Sequence, residues 1–304
     1  MSMDFDRVRG VLVGLACGDA LGRPVEFDTA SAITAEYGDL DEMVGHGTWN
    51  QPAGTITDDT EQALCIARSL VEEQKFDPAD IADRFAAWYD RDPFDIGRMT
   101  ARSLREFKHG STWDEAGQQV WESSPEGQNA GNGSVMRCSP LAIPYASDRN
   151  RLVEVSRQSS QITHADPRCT YGCAILNLTV AGFLDDADTP LQNALNFAGA
   201  DAPDELTAAL RPIARSESPT TLETSGYVVH SLQTALHDGL RADSAEGAIV
   251  TAVNRGGDTD TIGAIAGAVA GARFGASQLP DHWLSSIDET DELERLAEDL
   301  VEVA

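Results

Sequence analysis

The chain has 304 residues, enough for one large domain or two small ones with a substantial buried core. Its 41% apolar and 24% charged residues, with 26 glycines and 13 prolines, exclude a disordered, collagenous or coiled-coil chain. Fifty acids against 22 bases leave a net charge of -28, which excludes non-specific nucleic-acid binding and disfavours docking on an anionic membrane surface.

In chain order, apolar residues at helical spacing predict a first helix over Arg7 to Ala20, through Val8, Val11, Leu12 and Leu15. A second follows over Glu61 to Glu73, through Leu64, Ile66, Ala67, Leu70 and Val71. Further helices are expected over Pro78 to Tyr89, Asp95 to Phe107, Trp113 to Glu122, Arg149 to Gln161 and Thr170 to Leu184. The series ends with Pro190 to Ala198, Pro203 to Arg215, Tyr227 to His237, Ser244 to Asn254, Thr261 to Phe274 and Glu289 to Val301. No stretch alternates with the period of two that a half-buried strand requires. With no internal repeat and no linker-like shift in composition, the expectation is an all-α fold in one domain spanning 1–304. Glycines interrupt the run Ile262 to Ala272 every four or five residues. Each costs about 1 kcal/mol relative to alanine in a helix interior, so they point to close backbone approach and a central helix. The acidic stretch from Asp288 to Glu302 reads as a solvated helical face.

Only Lys75 and Lys108 are lysines. Abundant Asp and Glu with almost no Lys reads as a surface suited to high salt, where screening relieves self-repulsion. The five cysteines are odd in number and form no Cys-x-x-Cys, and no basic-then-apolar leader opens the chain. The expected setting is the cytoplasm, with reduced thiols. The uncharged run Ile262 to Ala272 is too short for a bilayer, which needs about 20 residues.

Two stretches place carboxylates and hydroxyls at a helix start behind glycine: Gly54-Thr-Ile-Thr57-Asp58-Asp59-Thr60 and Gly256-Gly257-Asp258-Thr259-Asp260-Thr261. Helix capping accounts for one acid and one hydroxyl at each start and leaves the second carboxylate over. Four carboxylates gathered inside a fold repel, and two divalent cations would balance their charge. Oxygen-only ligands suit Mg²⁺ or Mn²⁺. A third stretch, Asn129-Ala-Gly131-Asn132-Gly133-Ser134, offers backbone N–H groups that suit a phosphate, and equally an ordinary turn. Thr163-His164 and Gly226-Tyr227 read as structural residues or as parts of a binding wall.

Taken together, these stretches make the chain resemble the ADP-ribosylglycohydrolase family. The resemblance runs through Gly10-Val-Leu-Val-Gly14-Leu-Ala-Cys-Gly18-Asp19-Ala-Leu-Gly22 with Glu26, both Asp-Thr stretches, Gly131-Asn132-Gly133-Ser134-Val-Met136-Arg137, Thr163-His164 and Gly226-Tyr227-Val228. It implies an orthogonal helical bundle around a cleft that holds two cations, Mg²⁺ or Mn²⁺. It implies Thr57, Asp58, Asp59, Asp258, Asp260 and Thr261 as metal ligands, with Glu26 beside them. It further implies that Asn129, Gly131, Asn132, Gly133, Ser134, His164 and Tyr227 line the ADP-ribose site. The implied reaction is hydrolysis of the bond between ribose C1″ and an acceptor, on an ADP-ribosylated protein or a related adduct. Asp59 or Glu26 would accept the proton of the attacking water. One position departs from the pattern. The dinitrogenase-reductase-activating branch uses an aspartate three residues before the loop asparagine, and this chain has Asn129 there, which cannot serve as a base. The rival expectation is a non-catalytic ADP-ribose sensor or a crystallin-like member.

Overall fold

The computed structural model describes residues 4–217 and 219–303. Fifteen α-helices stand among them, with no strand and only three isolated bridges, Thr29 to Gly256, His46 to Gln51 and Gly131 to Tyr227. The all-α expectation holds.

Two helices form the axis: α1 (Phe5–Gly22) and α13 (Thr259–Phe274), the most extensively packed pair in the molecule. They run antiparallel with glycine against glycine: Gly10 on Gly271, Gly14 on Gly267, Gly18 on Gly263. A Cβ added to Gly18 would stand 1.9 Å from the Gly263 carbonyl oxygen. Neither helix has a solvent face over this stretch, and every residue of α13 from Thr259 to Ala272 is buried. The small-residue run is therefore central, as its glycines suggest. The glycines hold the axes close enough to bring the end of α1 against the start of α13.

Around this axis, α3 (Asp58–Glu73) and α15 (Thr290–Leu300) pack together, and α15 also lies on α1. α15 buries Leu293, Leu296, Ala297 and Leu300, while Glu294, Asp291 and Glu298 stay outside or at its flank. A bidentate pair from Arg68 to Glu292, both contacts 2.8 Å, joins it to α3. Opposite lie α7 (Arg149–Gln161), α8 (Pro167–Leu184) and α9 (Pro190–Ala198), packed in sequence. α10 (Asp204–Ala214), α11 (Val228–Arg241) and α12 (Ala245–Val253) close the second flank against α13. α4 (Pro78–Tyr89), α5 (Arg98–Lys108) and α6 (Trp113–Ser123) follow α3 on the first.

Several boundaries differ from expectation. α3 begins at Asp58 and α13 at Thr259, so Asp58, Asp59 and Asp260 lie inside the first helical turn and Asp258 stands at the N-cap. α5 begins at Arg98, which leaves Asp95 on the approaching segment. Two short helices, α2 (Ala30–Tyr37) and α14 (Asp281–Leu284), were not expected. α2 buries only Ile33 and so has no apolar stripe to announce it. α14 spans barely one turn, too short for any periodicity. No described helix is long and apolar enough to cross a membrane.

Candidate active site

Three helix termini converge on one cleft: the C-terminal end of α1, and the starts of α3 and α13. What fixes the start of α3 is a residue from α1. Asp19 accepts from the Thr57 amide (3.0 Å), the Thr57 hydroxyl (2.9 Å) and the Thr60 amide (3.2 Å), and also from the Thr60 hydroxyl. A carboxylate from another helix thus satisfies two N–H groups at the start of α3, and the Thr57 hydroxyl accepts from a third, that of Asp59. Asp58 and Asp59 are released from that task and turn into the cleft. At α13 the N-cap position is Asp258, which makes no side-chain capping bond. Asp260 Oδ1 accepts from the Thr261 amide at 2.8 Å, so capping accounts for that acid alone and leaves Asp58, Asp59 and Asp258 over.

Arg23, directly after α1, is wholly buried. Its guanidinium donates to four carbonyls, of Val44, His46, Pro52 and Thr55. This gathers the segment between α2 and α3 and sets Trp49 over Glu26, where the indole N–H donates to Glu26 Oε2 at 2.6 Å. On the far side Gly256 and Gly257 adopt left-handed backbone, φ 74° and 82°. A Cβ at Gly257 would meet the Thr224 carbonyl at 2.2 Å. The Gly257 amide donates to the Asp28 carbonyl, and the Phe27 amide to the Gly257 carbonyl, so the two acid-bearing segments are clasped together.

The cleft has a volume of about 720 Å³. Glu26, Asp58, Asp59, Asp95, Asp258 and Asp260 line one end. Oxygens of Glu26, Asp258 and Asp260 all lie within 4.8 Å of one another. Burial first, then mutual repulsion, pushes the Glu26 carboxyl up to about 8 and Asp95 up to about 7. The same causes hold Asp58, Asp59 and Asp260 well above the ordinary carboxylate range. Asp59 Oδ2 receives the Thr57 hydroxyl at 3.3 Å and the Thr261 hydroxyl at 3.5 Å, while its Oδ1 is buried and has no partner. A buried, unsatisfied carboxylate oxygen amid other acids is what a bound cation would satisfy. The donor set, carboxylates and hydroxyls without nitrogen or sulfur, fits a hard divalent ion.

The other end is built from backbone. The Gly131 segment is zipped to the Tyr227 segment: the Asn132 amide donates to the Gly226 carbonyl (3.1 Å) and the Val228 amide to the Ala130 carbonyl (3.0 Å). Asn132 Nδ2 donates to Asp258 Oδ2 at 2.8 Å and so ties the two ends together. The His164 ring sits against Gly133, where a Cβ would approach its Cε1 to 2.9 Å. Arg168 donates to the Tyr227 hydroxyl (3.1 Å), to Asn129 Oδ1 (3.3 Å) and twice to Asp166.

Of the residues expected here, Glu26, Asp58, Asp59, Asp258, Asp260, Thr261, Gly131, Asn132, Gly133, His164 and Tyr227 line the cleft. Thr57, Asn129 and Ser134 do not. Thr57 faces Asp19 and the edge of Asp59. Asn129 is turned to Arg168 and braces the wall behind Tyr227. Ser134 is buried and accepts from Ser160 at 2.9 Å, because the turn at Gly133 sends it inward. Asp19, Trp49 and Asp95 were not foreseen. Asp19 had a signal, as the lone acid in the otherwise uncharged run Gly10 to Gly22. Trp49 and Asp95 lie in irregular segments where no periodicity points.

The ADP-ribosylglycohydrolase family model matches residues 1–304. The chain is 34% identical to the ADP-ribosyl-[dinitrogen reductase] glycohydrolase of Rhodospirillum rubrum, over 93% of this chain and 90% of that protein. It is 31% identical to the ADP-ribosylarginine hydrolase Tri1 of Pseudomonas putida, over 99% and 79%. Human ADP-ribosylhydrolase ARH3 is 27% identical over 97% of this chain and 93% of its own. Among solved structures, an ADP-ribosylglycohydrolase-related protein superposes with a TM-score of 0.81 at 32% identity, covering 98% of both chains. Full-length agreement of sequence and helical architecture, on a cleft of this composition, makes the chain a member of the ADP-ribosylglycohydrolase family.

Proposed function

We propose that this chain is a metal-dependent hydrolase that removes ADP-ribose from a modified acceptor, cleaving the bond at ribose C1″. The unpartnered Oδ1 of Asp59, buried among five other acids, supports this most directly. A purely ADP-ribose-binding cleft has no use for an uncompensated cluster of this kind. The relatives named above point the same way. Mg²⁺ or Mn²⁺ would be held by Asp58, Asp59, Asp258, Asp260 and Thr261, with Thr57 and Glu26 beside them. A bound pair of such ions polarises substrate oxygens and lowers the pKa of a water.

The chain's own residues do the rest. Tyr227, His164 and the Gly131 to Gly133 backbone hold the nucleotide portion and fix the distal ribose at the acid end. The water oxygen bonds to C1″ as the bond to the acceptor breaks. Asp59 or Glu26 takes one of the water's protons, the other stays on the new C1″ hydroxyl, and the acceptor leaves with the proton that the carboxyl passes on. Trp49 keeps Glu26 aimed into the cleft. Asn129, bound to Arg168, is a structural brace in this scheme and not a base. The whole chain, 1–304, acts as one domain, a reading supported by the packing of α1 on both α13 and α15.

The test is release of ADP-ribose from arginine-, serine- and DNA-linked substrates, with and without Mg²⁺ or Mn²⁺, in high salt. Release should require metal, and Asp59→Ala should lose about 10²-fold or more in rate while part of the ADP-ribose affinity survives. Tight ADP-ribose binding with no release from any substrate would replace the hydrolase by a sensor.

A further inference from the structure

Arg137 is a charged residue the scheme above does not use. It is 1% exposed, its Cζ lies 4.3 Å from the centre of the Phe85 ring, and among the described residues it hydrogen-bonds no carboxylate, its Nε having no partner. Its two terminal nitrogens point in different directions. Nη1 donates to Gln62 Oε1, and Nη2 donates to the Thr163 hydroxyl at 2.7 Å. Each of these partners continues to the cleft. Gln62 Nε2 donates to Asp58 Oδ2 at 3.1 Å. The Thr163 hydroxyl lies 2.7 Å from His164 Nδ1.

A guanidinium has five donors and no acceptor, so every bond it makes has a fixed direction. Gln62 must therefore present its oxygen to Arg137 and its NH₂ to Asp58. Thr163 must accept from Arg137, which leaves its own hydrogen to place. Among the described residues His164 Nδ1 is the one remaining partner within reach, and Thr163 is fully buried. If Nδ1 bore the ring proton, the Thr163 hydrogen would be left without an acceptor inside the protein, at the cost of an unsatisfied buried donor. The satisfied arrangement has Nδ1 as acceptor and the proton on Nε2. His164 Nε2 makes no hydrogen bond to the described residues, and the ring lines the cleft beside Gly131 and Gly133.

We propose that Arg137 is the positioning residue of this cleft: through Gln62 it orients Asp58, and through Thr163 it locks His164 as an Nε2–H donor aimed at an oxygen acceptor of the ligand. Both ends of the cleft, about the acid cluster and about the nucleotide wall, thereby answer to one buried cation. The identity of the ligand rests on the ADP-ribose reading given above. The locked tautomer does not.

The two are tested separately. Nitrogen-15 NMR of the histidine rings in ligand-free protein, with His164→Gln identifying the signal, should show Nε2 protonated and Nδ1 unprotonated. Protonated Nδ1 would overturn the proposal whatever the protein binds. In Arg137→Lys a single ammonium cannot serve both Gln62 and Thr163, and the His164 signals should shift toward a mixture of tautomers. Thr163→Ser keeps the hydroxyl and should leave them as in the wild type, whereas unchanged signals in Arg137→Lys would also overturn the proposal. Should Arg137→Lys fail to fold, the wild-type tautomer decides alone. With ADP-ribose as probe, calorimetry should show roughly ten-fold weaker binding for Thr163→Val and wild-type affinity for Thr163→Ser. No ADP-ribose binding by the wild type would sink the hydrolase reading and leave the tautomer result standing.

Discussion

At the scale of single residues, the cleft sets buried acids against one another and relieves them only through a few fixed donors. Asp258→Asn or Asp260→Asn should remove part of that repulsion and raise the melting temperature of metal-free protein. The same changes should weaken Mn²⁺ binding, because an amide is a poorer ligand and leaves the ion's charge less balanced. The rise in melting temperature that Mn²⁺ produces by binding the folded state should shrink in both variants. An undiminished Mn²⁺ shift, with two anomalous peaks retained in Mn²⁺-soaked crystals, would remove both residues from the ligand set. His164 gives a prediction for pH. Burial, followed by the Arg137 charge, pushes its ring down to about 3, against about 6.5 for a free histidine. The folded state therefore resists protonation. The contribution is fully present above the unfolded value and is lost as pH falls from about 6.5 toward the folded value. Denaturant unfolding of wild type and His164→Gln between pH 7 and 5 should show the steeper loss in the wild type, and parallel profiles would refute this.

Between elements, the glycine seam of α1 and α13 decides where the acids stand. A glycine in an ordinary exposed helix gains about 1 kcal/mol on replacement by alanine. Gly18→Ala should do the reverse, because its methyl carbon would stand 1.9 Å from the Gly263 carbonyl oxygen, where backbone cannot yield without parting the helices. Destabilisation of about 3 kcal/mol is expected, the upper end for overpacking. Separation of the axes would also move Asp19 from the start of α3 and Asp260 from Glu26. Activity should fall further than the loss of folded protein explains. Chemical denaturation with metal titration of the same variant would show whether stability and metal affinity fall together. Wild-type stability in Gly18→Ala would mean that the seam has slack it does not show.

For the molecule as a whole, charge dominates. A net of -28 on one chain, with most acids exposed, makes the folded state repel itself at low ionic strength. The Debye length falls from about 10 Å at 0.1 M to about 3 Å at 1 M salt, so screening should relieve most of that repulsion. The melting temperature should rise from dilute buffer to molar KCl. A flat or falling curve would dismiss high-salt adaptation and leave the assignment of the cleft intact.

Much of this architecture was legible in the linear order of residues, and the reason is locality. Helical spacing, caps and glycine recurrence are set by residues three or four apart, so the long helices and the central place of the Ile262 to Ala272 run could be read directly. The acid pairs at Asp58–Asp59 and Asp258–Asp260 were legible because they sit together beside glycine. Tertiary structure decided what lies far apart in the chain. Asp19 takes over the capping of α3 because the fold lays the end of α1 against the start of α3. Asp95 and Trp49 reach the cleft from irregular segments, where side-chain direction has no period. Ser134 and Asn129 lie in the stretch that lines the cleft opposite the acids and yet turn away from it. Which way a residue in a turn points depends on the neighbour that packs behind it, here Ser160 for one and Arg168 for the other. The directions of the buried hydrogen bonds around Arg137 likewise arise only where Gln62, Thr163 and His164, distant in sequence, meet one guanidinium that can donate and never accept.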